Sequence, residues 1–296
     1  MSFSLAVSPE EFMPAVGLPA ELPLIAEDEL VSILQQGAES ELDGLVACLL
    51  QGGITCQLKR LTVYKANQPH HRVYVNDIAA ELQKFGANTI ASAFRSGKGV
   101  AYREIVQDVA DRLGISREGT TMDIEKCILQ KLAEKFWEGA TAEQRLALLN
   151  QVGVRDYSLV ARPALPAAVI SAVHLSGFAA YQFTVIVANA IAHAVLGRGL
   201  SLAANAGLTK GVSIFAGPPG WCLVAFLTAH SIASEAYRVT IPAVVQVALI
   251  RSAIEARREQ DAERTRRKLP VNPKLLAVAL VLLCAAVIAA IMLLVR

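Results

Sequence analysis

The sequence predicts an all-α protein: a helical body, a central apolar glycine-rich helical hairpin and a single C-terminal transmembrane helix. Three observations lead there. Apolar residues recur at helical spacing through the first half of the chain. The 88 residues from Pro163 to Ile250 carry only four formal charges, Arg198, Lys210, Glu235 and Arg238, whereas roughly a quarter of an ordinary soluble domain is charged. Leu275 to Val295 is a run of 21 residues with neither charge nor proline. The chain divides accordingly into an irregular lead (1–25), an N-terminal helical domain (26–158), an apolar hairpin region with its following helix (159–258), a basic juxtamembrane linker (259–274) and an anchor (275–295).

The lead from Met1 to Pro23 has three acidic residues, no Lys or Arg, and four prolines. A secretory signal needs a basic start and an apolar run, so this segment is expected to be irregular. In the N-terminal domain, Glu27-Asp28-Glu29 puts acid in a first helical turn ahead of Leu30, Ile33 and Leu34. A second helix fits Ser40 to Leu50, stopped by Gly52-Gly53. Leu61 to Tyr64 and Arg72 to Val75 read as two short strands around Asn67-Gln68-Pro69. Asn76-Asp77 is placed to cap a helix carrying Ile78, Leu82 and Phe85, with Gly86 as its C-terminal cap. Ile90, Ala93 and Phe94 fit another helix. Ile105, Val106, Val109 and Leu113 share a face closed by Gly114. Ile124, Ile128, Leu132 and Phe136 recur every four residues, and Thr141 with Gln144 has capping-box spacing.

Past residue 159 the composition changes. Pro163 to Gly197 and Gly211 to Ser234 are both free of charge. Between them Gly197, Arg198, Gly199, Lys210 and Gly211 make a candidate hairpin turn. Its arms would be Gly177–Leu196 and Gly211–Ala233, rich in the small residues that let helices approach closely. The pattern fits either a membrane-inserting hairpin or a buried one. Gln182, Asn189, His174 and His193 weaken the first arm as a span, and Gly217-Pro218-Pro219-Gly220 interrupts the second. Glu235 and Arg238, three apart, are a candidate ion pair, structural or functional. Pro242 fits the first turn of a helix or a kink in a longer one.

The anchor expectation rests on length: 21 residues of helix span about 30 Å, the thickness of a bilayer's hydrocarbon core. Arg264, Arg266, Arg267, Lys268 and Lys274 precede it and only Arg296 follows. Lys and Arg in excess stay on the cytoplasmic side, which predicts a single-pass protein with its body in the cytoplasm. Those five cations are candidate contacts to lipid headgroups, and Pro270 and Pro273 should form a joint before the span.

Most site chemistry lacks a signature. Arg95-Ser-Gly-Lys98-Gly99 has neither the glycine spacing nor the hydroxyl of a phosphate loop. No nucleophile elbow is present. The five cysteines, Cys48, Cys56, Cys127, Cys222 and Cys284, are scattered without a Cys-x-x-Cys pair, as in a reducing compartment. His174, His193 and His230 lack the paired spacing of helical zinc sites. Net charge is +2 with no basic stripe, which disfavours nucleic acid. The expectation is therefore no catalysis, metal or cofactor. Membrane lipid, a protein partner and self-association through small-residue faces are the expected contacts.

Five stretches resemble the YaaW-like uncharacterised bacterial proteins: Asp28 to Gln36, Glu81 to Ala91, Gly97 to Arg103, Val195 to Leu200, and Ala236 to Gln246. The resemblance covers residues 27 to 258. That family's central region is similar to the ubiquinol-cytochrome c chaperone domain, which implies an all-helical body and permits a chaperone-like or assembly role. The family supplies no catalytic residues. A bacterial origin would make the membrane the inner one. The alternative reading is a membrane-active protein whose glycine-rich hairpin inserts into and perturbs the bilayer. A third, an enzyme using Glu235, Tyr237 and Arg238 in an apolar pocket, is the least supported.

Overall fold

Among the residues that the computed structural model describes, every regular element is helical. The structure describes residues 22, 28–52, 56–89, 100–151, 153–174, 178–196 and 237–268. Among them are ten α-helices: α1 Glu29–Gln36, α2 Glu39–Leu50, α3 Thr62–Asn67, α4 Val75–Thr89, α5 Tyr102–Arg112, α6 Thr121–Gly139, α7 Ala142–Gln151, α8 Ala167–His174, α9 Phe178–Leu196 and α10 Tyr237–Lys268.

The helix starts follow capping chemistry. Asp28 caps α1 by accepting the Leu30 N–H at 3.0 Å. Glu41 reaches back to the Ala38 N–H at the start of α2. Thr120 and Asp123 bond reciprocally at α6, and Thr141 and Gln144 at α7. Each cap satisfies donors that the first turn leaves open. Gly114, at φ +70°, ends α5 in the left-handed conformation that glycine adopts without strain.

Three local expectations are corrected. The two short strands are helical: α3 covers Thr62–Asn67, and a 3-10 turn covers His71–Tyr74. An isolated two-stranded hairpin is marginal in water. Here Tyr64 and Tyr74 instead meet edge to face at 5.7 Å inside the core. Gly86 does not end α4, which runs on to Thr89. A Cβ at Gly86 would lie 2.4 Å from the Ile105 side chain, so the glycine serves close approach of α5. Asp77 is no cap either. It is buried in the first turn of α4 and accepts the Leu22 N–H at 2.7 Å, which fastens that residue of the lead to the body.

One apolar core takes side chains from α1 through α10. At its centre lies α10, packed against α9, α2, α1, α5, α6 and α4. Thr184 of α9 meets Ser252 of α10 at 3.2 Å, and Tyr181 lies near Arg257, so the pair is antiparallel. Pro242 falls inside α10 and the helix continues through it. The far side of the body is fastened by Arg145. Its guanidinium donates to the carbonyls of Trp137, Val160 and Arg162 and lies 5.1 Å over the Trp137 ring.

Candidate functional site

The polar faces of α10 are the strongest candidate for a site. Val239 to Ile250 is a charge-free stretch of 12 residues, and all of its aliphatic side chains are buried. A helix that is apolar all round belongs inside a fold or a membrane. Over Tyr237–Arg266, α10 is long and apolar enough to cross a membrane, yet 83% of its most apolar window is buried in the body. The charge-free stretch is only about 18 Å long at 1.5 Å per residue, short of the roughly 30 Å hydrocarbon core. Those dimensions suit a core helix.

Immediately after that stretch, Arg251 enters a buried ionic cluster. Its Nε donates to Glu125 Oε2 at 2.8 Å, and its Nη2 to Glu125 Oε1 at 3.2 Å and to Glu29 at 3.1 Å. The Tyr102 hydroxyl donates to Glu125 Oε1 at 2.7 Å. Glu125 is 2% exposed and the Arg251 side chain 17%. Burial pushes the Glu125 carboxyl above the usual carboxylate range, and the Arg251 charge and the hydrogen bonds pull part of the way back. The guanidinium stays charged at any ordinary pH, so the carboxyl is the member that titrates. Beside the cluster, Thr184, Ser252, Glu255 and Lys126 line a narrow cleft.

One and a half turns further along, Arg257 pairs with buried Glu41 on α2 and donates to the Gln36 carbonyl at 3.2 Å. Arg258 bonds the Gln36 side chain, and Arg72 the Gln35 carbonyl. Three arginines thus surround the C-terminal end of α1, where cations complement the helix dipole. At the other end of α10, the Tyr237 hydroxyl donates to Asp108 at 3.2 Å, and Arg112 lies 5.3 Å over its ring. These contacts join α10 to α5, α6, α1 and α2.

Other buried polar groups lie off this line. Glu81 is fully buried; one oxygen accepts the Gln57 N–H at 2.9 Å and the other has no hydrogen-bond partner. Burial pushes its carboxyl upward. Gln246, on α10, is 0% exposed, and neither polar atom of its amide is bonded. His71 bridges Tyr74 and Asp43. Burial pushes the Cys48 thiol up to about 12 and that of Cys56 to about 11, so neither is a ready nucleophile. Among the described residues, no group of three or more His, Cys, Asp and Glu side chains is placed to hold a metal ion.

The residues singled out from sequence fall differently. Arg238 is exposed in the first turn of α10, while Glu235 lies outside the described residues. The turn residues Gly197, Arg198, Gly199, Lys210 and Gly211, the second arm, Lys274 and the anchor 275–295 also lie outside them. The first arm is α9, whose Phe183 and Val185 to Ala188 are buried in the core. Arg264 and Arg266 lie on the exposed last turns of α10, which reach Lys268 without a break. Sequence reasoning missed the Arg251 and Arg257 clusters. Their partners are separated by between 126 and 222 residues. A charge on an otherwise apolar stripe was the available signal: Glu125 adjoins Ile124 and Ile128 on α6.

The fold and this site define a helical bundle closed around one central helix. The chain belongs to the UPF0174 family. It is 41% identical over 190 residues to a UPF0174 protein of Helicobacter pylori strain J99, a match covering 64% of this chain and 75% of that protein. It is 31% identical over 240 residues to UPF0174 protein YaaW of Escherichia coli K12, covering 77% of this chain and 96% of the relative. A second H. pylori J99 UPF0174 protein is 34% identical over 207 residues, with 68% and 98% covered. No family model and no solved structure matches the chain.

Proposed function

We propose that this protein is a non-catalytic helical body, tethered on the cytoplasmic side of a membrane by residues 275–295, that binds or assembles other proteins there in a chaperone-like manner. The observation that carries the reading is the continuity of α10. One helix passes from the centre of the core, through the Arg257–Glu41 pair, to a basic turn ending at Lys268, with six residues between it and the 21-residue apolar run. A non-catalytic role is supported by the site itself. Arg251, Glu125 and Tyr102 satisfy one another, Cys48 and Cys56 are held as thiols, and the adjoining cleft is narrow. The rival reading, in which the glycine-rich hairpin inserts and perturbs the bilayer, has less support. Its first arm already packs against α10.

Alkaline carbonate extraction of the full chain, beside a chain ending at Lys268, tests the tether. Retention of the full chain with release of a monodisperse truncation is expected. A truncation that stays embedded would favour the inserting hairpin, and dye leakage from liposomes would then follow.

A further inference from the structure

From Arg257 onward α10 leaves the body. Residues 257–266 are exposed all along the helix, which continues to Lys268. These last 12 residues amount to about 18 Å of helix at 1.5 Å per residue. Helices that lie in a membrane interface need an apolar face. This stretch has none, because Ala262 is its one aliphatic residue. Its charges are instead sorted along the axis. Arg257 and Arg258 are tied to the body through Glu41 and Gln36. Glu259, Asp261 and Glu263 form an acidic middle, and Arg264, Arg266, Arg267 and Lys268 make the last turn basic. Thr265 donates to the Asp261 carbonyl at 2.9 Å, and Glu263 stands four residues before Arg267, a spacing that supports the helix.

We infer that the end of α10 is an upright stalk for an anionic lipid surface, with its basic last turn in the headgroups and its acidic middle repelled from them. The inference rests on the tether reading and adds orientation and clearance to it. The cations are drawn to anionic lipid within a Debye length of roughly 8–10 Å, and the acidic turn is pushed outward over the same distance. Only a helix roughly perpendicular to the surface satisfies both. Lying flat would bring either Glu259 and Glu263, or Asp261 on the opposite face, against the lipid. The body, clamped to the same helix at Glu125 and Glu41, is then held off the membrane in one orientation.

Energy transfer from a dye at exposed Val73 to a headgroup dye, with the full chain reconstituted in vesicles, tests this. In phosphatidylglycerol-containing vesicles a single narrow distance is expected, broader in pure phosphatidylcholine. Substituting Arg264, Arg266, Arg267 and Lys268 together by Gln should abolish the dependence on anionic lipid. Ala262→Pro, which breaks the stalk without touching the body, should broaden the distance even in anionic vesicles. Equal distributions in both lipids, or no effect of Ala262→Pro on a chain still held by the vesicles, would overturn the stalk and leave the tether standing. A chain that floats only with anionic vesicles, and loses this on neutralising the four cations, would overturn the tether and with it the stalk that rests on it. A chain that binds neither vesicle overturns both.

Discussion

The two stretches of α10 are one continuous helix in two solvents. Val239 to Ala256 is mostly apolar, with Arg251 and Glu255 its two charges, and packs against six other helices, whereas Arg257 to Lys268 has a single aliphatic residue and is exposed over 257–266. The first stretch is helical because tertiary burial makes it so. Val, Ile and Thr have modest helix propensity, and Pro242 removes a donor. The second is helical because Glu, Gln, Ala and Arg favour helix and the basic last turn suits the dipole. Substitutions should therefore act globally in one stretch and locally in the other.

The largest effect should come from Arg251→Ala. It strands Glu125 in the core, and breaking a buried pair by removing one partner costs about 3–5 kcal/mol. Urea unfolding at neutral pH measures it. The loss should be smaller in mild acid, because the stranded carboxyl can then take up a proton. Replacing Arg251 by Met and Glu125 by Leu together should restore most of the stability, since no charge remains to be desolvated. If the single and double variants were equally unstable, Arg251 would contribute packing rather than charge.

That pair shows what was legible in the sequence. The apolar face of α6, the end of α5 at Gly114 and the cap at Thr141 followed from spacing alone, because local interactions decide them. Gly86 misled, since a glycine placed for close packing against Ile105 looks the same in sequence as one that ends a helix. The tyrosines misled too. Aromatic and β-branched residues suggest strands, but Tyr64 and Tyr74 are oriented by each other within the core. Glu235 drew attention because it stands in an uncharged region. Arg251, at the end of the same region, has partners that only the fold brings near.

Within the buried stretch, Gln246→Met should act in the opposite direction. The amide is enclosed with neither polar atom bonded, and each unsatisfied buried group costs about 1–3 kcal/mol. A thioether of similar volume removes that cost, so the urea midpoint should rise. A fall would mean that the amide is bonded after all, through buried water.

Glu81→Gln should give a smaller change that depends on pH. The folded carboxyl titrates above its unfolded value of roughly 4.3, because it is buried. Stability from this group is fully present below the unfolded pKa and is lost as pH rises through the folded one. The neutral amide does not titrate. The variant should therefore gain on the native chain as pH rises from about 4, and the gap should level off above the folded pKa. A gap that is constant with pH would place the charge of Glu81 elsewhere in the energetics.

The smallest global effect should come from Ala262→Gly in the exposed stretch. Glycine costs about 1 kcal/mol relative to alanine in a helix interior. Ala262 lies beyond the Arg257 and Arg258 contacts to the body, so that cost falls on local fraying rather than on the cooperative unfolding of the body. Amide exchange over 257–268 should accelerate several-fold while the urea midpoint stays where it is. The same substitution at buried Ala248, four residues before Ser252, should shift the midpoint itself, because there the helix and the core unfold together. If Ala262→Gly moved the midpoint as well, the exposed turns would be packed against something, and the contrast between the two stretches would fail.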